Sequence, residues 1–559
     1  MYNISPLVGL RGRLVMRDRS APQSQVLWWK DNEGELMYYF IPAWYGQTDE
    51  FWKTAIDPWY RIRQKIEFDD SLHQVRIFQD EDLAPQLLLL AYQPHLRYFL
   101  HRHDVLEVGY TAIFDLIQGI TNENMKNLQV TDLEWPEGST FVHTPFAIVV
   151  QCQHKRYAEI EFGSEGFIGM IRYYKDEQII REDIYDDRGF ISSSLYYEDG
   201  QPSYRNYLNA KGVWQLCHFF DGRGIVANPR TEGRFNKSYY GDLSEVIWEF
   251  LTKFLEEKVE AEDRFVIASD LRHNKHLFDH LPAANTKILT WFAERNQDDS
   301  IDSYAAFLPQ VDLLIADRYD YLEQLQVAYP EEAKKLKHMA SFDTRLALGT
   351  SQRVKESKIF YQVDFDQLDL EAIYQVLAFV AKYPKTQVEF GAFNANPEQL
   401  GSLQNQVEKM IEERLSPEAF EEVVESSGAE NKLEENNEIV SRFSFQDLRD
   451  ETALIKALQF TRLIVDLSKE PNRYTQIAGI SAGIPQINRV ASEYVTHQEN
   501  GYILKHLSDF EKGAYYYLGQ LNNWNRSLIY SIEKIKENTG DRLVQKWENW
   551  LKEEQNDQG

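Results

Sequence analysis

Cysteine is scarce in this sequence: Cys152 and Cys217 are the only two in 559 residues. So small a number argues against a disulfide framework and fits a reducing compartment. Basic residues are also few, since 60 lysines and arginines stand against 88 acidic residues and give a formal net charge of -28. That balance argues against nucleic acid or a bare anionic membrane as the main partner, although a local basic patch is compatible with it.

Long apolar runs and two common catalytic motifs are missing as well. The longest uninterrupted apolar run, at residues 87–91, is far shorter than the ~20 residues of a membrane-spanning helix. A Gly-x-Ser-x-Gly elbow and a Walker-type Gly-rich loop are absent, which removes two classes of enzyme. We therefore expect a soluble protein.

The first 36 residues differ from the rest of the chain. Their arginines cluster without an apolar stretch behind them, so the segment is not a secretory signal. A transit peptide is compatible with the composition. However, the codons of Glu33-Gly34-Glu35, just before Met37, can spell a purine-rich ribosome-binding site. This suggests the hypothesis of a natural start at Met37, with residues 1–36 as a non-native extension. An intact mass that begins at Met1 or Tyr2 would contradict it.

The hydrophobic and aromatic contents, 43% and 13%, suffice for globular cores, and the length predicts two or three domains. Alternating strand and helix signals predict a first Rossmann-like domain, made of residues 37–140 and 236–341. Within it we predict a strand around Val75 and Ile77 and a helix around residues 83–90. A second Rossmann-like domain is predicted at 342–505, and C-terminal helices at 506–559 pack against the first domain.

The intervening residues 141–235 predict an inserted antiparallel β-meander. Tyrosine, phenylalanine, isoleucine and valine are frequent there, and turn signals such as Asp199-Gly200 and Asp221-Gly222 recur about every dozen residues. Two interpretations of its aromatic residues stay open. They either pack within a two-faced sheet or form an extended binding platform.

Residues 463–504 have the order of a nucleotide-binding half. The apolar run 463–468 predicts a buried parallel strand, and the small residues after it predict a helix packed close to the sheet. Gly483 ends that helix, and Asn500-Gly501 predicts a turn. This order resembles the donor half of retaining GT-B glycosyltransferases. The resemblance implies an α/β, GT-B-like fold of two Rossmann-like domains.

The same resemblance implies a degenerate donor pocket. In the glycosyltransferases a Glu precedes the helix, and a second Glu eight positions later accepts hydrogen bonds from the donor ribose. Glu470 matches the first position, but Ala478 stands at the second, and a methyl group accepts no hydrogen bond. With Ser481 and Gly483, these residues form what we call the vestigial donor pocket. We therefore expect no catalytic residue, no cofactor, no metal and no enzymatic activity.

A second candidate site is the loop that opens the second domain. A loop of small residues with flanking cations could hold a diphosphate. The candidate anion-binding residues are Arg345, Ser351, Arg353 and Lys355. The alternative is a polar loop at the cleft between the domains, and we favour it because Ala478 leaves a nucleotide poorly anchored.

Histidines and adjacent carboxylates provide weaker candidates. Irregular spacing and apolar neighbours favour structural histidines over a metal site in the group His95, His101, His103 and Asp104. His273 and His276 have helical spacing but no third ligand, so we predict ordinary surface histidines. The pairs Asp69-Asp70 and Asp186-Asp187 lie on predicted turns. In a strand-like segment neighbouring side chains point to opposite faces, so neither pair forms an acid/base couple by itself.

Three strings carry a more specific resemblance, at residues 37–45, 94–102 and 342–351. They resemble the Asp family of the streptococcal and staphylococcal accessory Sec system, in particular its first member, and the resemblance extends from Met37 onward. It implies a cytoplasmic export component, at most peripheral at the inner face of the membrane. Such a component helps two companion Asp proteins and a SecA-like motor pass glycosylated serine-rich repeat adhesins to a dedicated channel.

Two other functions stay open. One is an active glycosyltransferase that modifies a Ser/Thr-rich polypeptide, which requires nucleotide-sugar binding despite Ala478. The other is a glycan-binding protein in which the β-meander recognises a glycosylated chain. Loss of binding after deletion of residues 141–225 would identify the latter.

Overall fold

Three large β-sheets and one small hairpin organise the described part of the chain. The computed structural model describes residues 36–46, 52–53, 69–81, 83–121, 126–163, 166–231, 233–296, 299–339, 357–393, 395–425, 437–448 and 451–557. Among these residues, no helix combines the length and the apolar character that a membrane span requires. Both cysteines are free.

The described chain begins with alternating strands and helices. They are β1 (Tyr38–Ile41), α1 (Asp70–Asp80), β2 (Pro85–Leu89), α2 (Leu96–Arg102), β3 (Gly109–Ala112) and α3 (Ile113–Gln118). The predicted strand around Val75 and Ile77 is wrong because Asp69 caps a helix there, accepting a hydrogen bond from the Leu72 backbone N–H at 2.8 Å. The predicted helix around residues 83–90 is also wrong, since that apolar run is the buried strand β2.

An antiparallel sheet comes next, as the turn signals predicted. Its strands are β4 (Thr140–His143), β5 (Ile148–Cys152), β6 (Lys155–Phe162), β7 (Ile168–Lys175), β8 (Gln178–Asp186), β9 (Phe190–Glu198), β10 (Gln201–Leu208), β11 (Trp214–Phe219), β12 (Gly224–Ala227) and β13 (Tyr239–Tyr240). They lie side by side in chain order. Asp199 and Gly200, between β9 and β10, have φ angles of 50° and 76°, which suit a tight hairpin turn.

The chain then returns to the first sheet. The next elements are α4 (Leu243–Lys258), β14 (Arg264–Ala268), α5 (Leu271–His280), β15 (Thr286–Trp291), α6 (Ala293–Asn296), β16 (Leu313–Ala316), α7 (Tyr319–Ala328) and β17 (Leu336–His338). The parallel strand order is β17-β16-β15-β14-β1-β2-β3. Tyr38 of β1 lies opposite Arg264 of β14, so segments on either side of the antiparallel sheet complete one Rossmann-like domain, which we call the first domain.

A second parallel sheet belongs to the second domain. Its elements are β18 (Ser357–Val363), α8 (Leu370–Lys382), β19 (Thr386–Phe393), α9 (Pro397–Arg414), β20 (Glu421–Glu425), β21 (Asn437–Ser441), β22 (Phe443–Leu448), α10 (Glu451–Leu458), β23 (Thr461–Asp466), α11 (Arg473–Ser481), β24 (Gln486–Asn488) and β25 (Gly501–Ile503). The parallel order is β22-β19-β18-β23-β24-β25, and β20 and β21 form a separate hairpin.

The C-terminal helices are α12 (Phe510–Leu518), α13 (Leu521–Lys536) and α14 (Gly540–Asp557). Phe510 and Trp524 belong to the core of the second domain. Trp547 of α14 lies instead in a core cluster with Tyr38 and Phe78 of the first domain, and Glu548 forms an ion pair with Arg264. The last described helix, α14, therefore packs against the first domain.

Candidate functional site

The functional candidate is the region where the carboxyl ends of β15 and β16 meet α11. Open α/β sheets bind ligands beyond the carboxyl ends of their strands. Phe292 and Asp317 come directly after β15 and β16. Phe292 lies in a core cluster with Tyr474 and Ile477 of α11, so the two domains are in direct contact at this position.

The loop between β23 and α11 is held by a buried carboxylate. Asp466 lies 2.5 Å from the Ser468 hydroxyl, and it accepts a hydrogen bond from the Asn472 backbone N–H at 2.7 Å. Burial raises the pKa of Asp466, against the effect of these hydrogen bonds. Glu470, the first predicted carboxylate, projects from this loop and is exposed.

The other predicted residues of the vestigial donor pocket are packing residues. Ala478 is 0% exposed and lies in the apolar cluster with Phe292. Ser481 is buried, and Gly483 ends the helix with a φ of 68°, a conformation that glycine adopts without strain. A carboxylate at position 478 would therefore enter an apolar interior.

An ion pair reinforces this contact between domains. A guanidinium nitrogen of Arg473, the first residue of α11, lies 2.6 Å from a carboxylate oxygen of Asp317. The other oxygen of Asp317 accepts a hydrogen bond from the Ala293 backbone N–H at 3.0 Å. Asn472 caps α11 and accepts a hydrogen bond from the Thr475 N–H at 2.8 Å. The helix start that could face a phosphate thus carries its own cap and an interdomain ion pair.

A small cavity lies beside this contact, at the carboxyl ends of β18 and β23. The empty space there, open solvent included, is about 230 Å³, and Tyr361, Gln367 and Ser468 are among its lining residues. Pockets that enclose a drug-sized ligand usually measure about 300–1,000 Å³. Ala478, Ser481 and Gly483 do not line it. The cavity is therefore small for a nucleotide sugar.

The turn between β18 and α8 carries carboxylates where Rossmann-like folds bind phosphate. Asp369 caps α8 and accepts hydrogen bonds from the Glu371 and Ala372 N–H groups, both at 3.1 Å. Asp364 lines the cavity, and Asp366 lies in the same turn. Asp369 forms an ion pair with Arg489 at 2.9 Å, so the charges of Asp364 and Asp366 are the ones that oppose a diphosphate. The acidic turn was not predicted from the sequence, although the three aspartates are visible after the strand.

The candidate anion-binding loop falls outside the described residues. The structure does not describe Arg345, Ser351, Arg353 and Lys355, so their role stays a prediction.

Of the histidine predictions, one needs correction. His273 is 0% exposed, not at the surface, because its ring lies under Tyr45, whose hydroxyl is 2.6 Å from Nδ1. Burial lowers the pKa of His273 to about 4. His276 is exposed, as predicted. No cluster of three or more metal-ligating side chains occurs within the described ranges.

Both adjacent carboxylate pairs have structural partners. Asp70 forms an ion pair with Arg295 at 2.7 Å, while Asp69 caps α1. Asp186 and Asp187 contact the buried guanidinium of Arg97 at 2.9 and 2.5 Å. The pKa of Asp186 is lowered. Burial acts to raise it, but the charges and hydrogen bonds of Arg97 and Arg188 outweigh burial. The second pair therefore attaches the turn after β8 to α2.

Four aromatic residues and one arginine form a row across the antiparallel sheet, which we call the aromatic row. Members on adjacent strands lie opposite each other: Tyr173, Arg181, Tyr196, Tyr204 and Phe219. The rings of Tyr196 and Tyr204 stack at 4.7 Å, with 15° between their planes. Arg181 covers Tyr173 at 4.1 Å, and Arg223 covers Phe219 at 3.9 Å. Because ring faces contact one another or a guanidinium, the row favours packing over a sugar-stacking platform.

Comparisons with known proteins agree with the fold. The family model for the first Asp protein of the accessory Sec system matches residues 37–554. The corresponding protein of Streptococcus gordonii is 47% identical over 92% of this chain and 99% of its own length. The corresponding protein of Staphylococcus aureus is 29% identical over 89% of this chain and 96% of its own length.

Solved structures also match this chain in family and in fold. A crystal structure of accessory secretory proteins 1, 2 and 3 of Streptococcus pneumoniae contains a chain 43% identical to this one, with a TM-score of 0.82, covering 93% of this chain and 100% of that one. The glycosyltransferase-like structure TarM matches with a TM-score of 0.58 at 12% identity, covering 92% of this chain and 98% of that one. At that identity the likeness shows the fold alone.

Proposed function

The chain belongs to the family of the first Asp protein of the accessory Sec system, and from that membership we propose that it is a non-catalytic part of an export complex. It acts with the two companion Asp proteins and a SecA-like motor ATPase. Together they deliver glycosylated serine-rich repeat adhesins to the accessory translocon. The similar chain in the structure of accessory secretory proteins 1, 2 and 3 supports the companion proteins as partners. The chain works in the cytoplasm and is at most peripheral at the membrane.

The observation that supports a non-catalytic role most directly is the contact between α11 and the first domain. Ala478 is buried in the same apolar cluster as Phe292, and Arg473 pairs with Asp317. A donor nucleotide would need the space and the charge that these side chains occupy. Asp364 and Asp366 in the acidic turn add repulsion toward its phosphates.

The alternative of an active glycosyltransferase has support only from the fold. The glycosyltransferase structures that resemble this chain do so at 12% identity, and a shared scaffold does not transfer an activity. The glycan-binding alternative is not favoured by the aromatic row, because its ring faces are occupied.

Complementation of export tests the proposal. In cells that lack the native gene, we expect Glu470→Gln to restore adhesin export as well as the unchanged chain does, because the exposed carboxylate has no catalytic task. Lys469→Gln, at the neighbouring exposed position, is the matched control. A specific export defect in Glu470→Gln would contradict the proposal. So would sugar transfer by the purified chain from a UDP-sugar to a serine-rich peptide.

A further inference from the structure

Strand β4 is an unprotected edge of the antiparallel sheet. Within the described residues it pairs only with β5, for example Val142 with Val149. All four of its residues are exposed. An edge strand presents unpaired backbone N–H and C=O groups, and proteins usually protect such edges with lysine, proline or a bulge. β4 contains neither residue, and its register with β5 is regular along its length.

This edge also exposes large apolar side chains. Phe141 is 40% exposed, Val142 43% and Phe146, in the turn after the strand, 56%. Phe141 contacts Trp135 edge-on, with ring centroids 5.8 Å apart. Trp135 thus extends the apolar surface beyond the strand. As neighbours on a strand, Phe141 and Val142 point to opposite faces of the sheet, so a strand that pairs with β4 meets an apolar side chain on each face.

The segment that leads into β4 carries charge of one sign, and the first basic side chains in the sheet, Lys155 and Arg156, lie on β6, two strands away. Residues 127–154 contain no lysine and no arginine, but they contain Asp132, Glu134 and Glu137. All three acidic residues are exposed, and within the described chain none of them forms an ion pair. An apolar edge with an acidic rim complements an apolar strand that is flanked by basic residues.

We propose that β4 is a docking edge for a β-strand, with apolar residues and flanking lysine or arginine, from one of the two companion Asp proteins. The proposal rests on the export complex proposed above. The incoming strand extends the sheet through backbone hydrogen bonds, while its apolar side chains cover Phe141, Val142 and Phe146. A second copy of this chain does not fit, because it would place the same acidic rim against itself.

A charged residue on the edge tests the proposal. Val142→Lys places a cation where an apolar, basic strand would dock. We expect its affinity for the purified companion proteins, measured by biolayer interferometry, to fall at least about tenfold. Val213→Lys is the matched control, since Val213 is 42% exposed in the turn between β10 and β11. The control should bind within about twofold of the native chain, and circular dichroism verifies that both variants are folded.

Hydrogen exchange of the native chain provides a test without substitution. The outward-facing amides among residues 140–143, which alternate with those bonded to β5, should gain protection when the companion proteins are added, because they become hydrogen-bonded. Unchanged exchange there, together with native affinity in Val142→Lys, would overturn the docking edge and leave the export complex intact. Failure of the native chain to bind the companions at all would overturn both. If Val142→Lys instead loses self-association, or loses adhesin binding while it still binds the companions, the edge has another occupant. Either result would overturn the proposal.

Discussion

At position 478 a methyl group is 0% exposed and lies in one apolar cluster with Phe292, Tyr474 and Ile477. The spacing from Glu470 indicated from the sequence that a carboxylate is missing there. It did not indicate which side chains surround this position. Phe292 is distant in the sequence, and its approach depends on how the two domains meet. Burial and interdomain contact are therefore the parts of this site that required the structure.

Ala478→Glu should destabilise the chain and should not create a nucleotide-sugar site. The new carboxylate would be buried among apolar side chains, and an uncompensated buried charge costs about 3–5 kcal/mol. Urea unfolding measures the loss. Glu470→Ala, at an exposed position, is the control and should change the free energy of unfolding by less than about 0.5 kcal/mol. Native stability in Ala478→Glu, combined with UDP-sugar binding, would show an open pocket at this position.

His273 should make the stability of the chain depend on pH. Its pKa is about 4 in the folded state, against about 6.5 in an unfolded chain. The contribution is complete above pH 6.5 and is lost as pH falls toward 4, because the unfolded state binds the proton first. Between pH 6.5 and 5 the loss is about 2 kcal/mol. We expect His273→Gln to flatten this part of the curve, measured by urea unfolding at several pH values, and exposed His276→Gln to leave it unchanged. If the free energy of unfolding changes with pH in the same way for the native chain, His273→Gln and His276→Gln, His273 is not the cause of the pH dependence.

Among the elements, hairpins were easier to predict than short helices. The turns at Asp199-Gly200 and Asp221-Gly222 lie between β9 and β10 and between β11 and β12, because aspartate and glycine tolerate the required backbone angles. The helix α1 was predicted as a strand. Nine of its eleven residues are buried, so it lacks the one-sided apolar stripe by which a helix is usually identified. For β2, a short apolar run does not distinguish strand from helix.

Arg97 is the residue through which α2 holds the turn after β8, so Arg97→Ala should strongly destabilise the chain. The substitution leaves Asp186 and Asp187 buried without this partner, and breaking a buried ion pair costs about 3–5 kcal/mol. Arg223→Ala is the control and should lose far less stability, because Arg223 and Asp221 form an exposed pair that solvent screens. Urea unfolding compares the two variants. Equal losses would show that the buried network does not attach the sheet.

At the scale of the whole molecule, three features connect parts that are distant in sequence. The first domain is completed across the antiparallel sheet by the pairing of β1 with β14. Its strand ends contact α11 of the second domain through Asp317 and Arg473. The last helix, α14, packs against the first domain again. The two Rossmann-like domains could be predicted from periodicity and resemblance, whereas the contact between them depends on side chains that no local pattern links.

The central claim is that a glycosyltransferase-like scaffold has its donor position closed by its own side chains. Isothermal titration of the purified chain with UDP-glucose and with UDP-N-acetylglucosamine tests it most directly. We predict no heat beyond dilution for either ligand, because Ala478 is buried in an apolar cluster with Phe292 and Asp364 in the acidic turn opposes the phosphates. Saturable binding of either nucleotide sugar to the native chain would contradict this claim and would make transfer to a serine-rich peptide the next question.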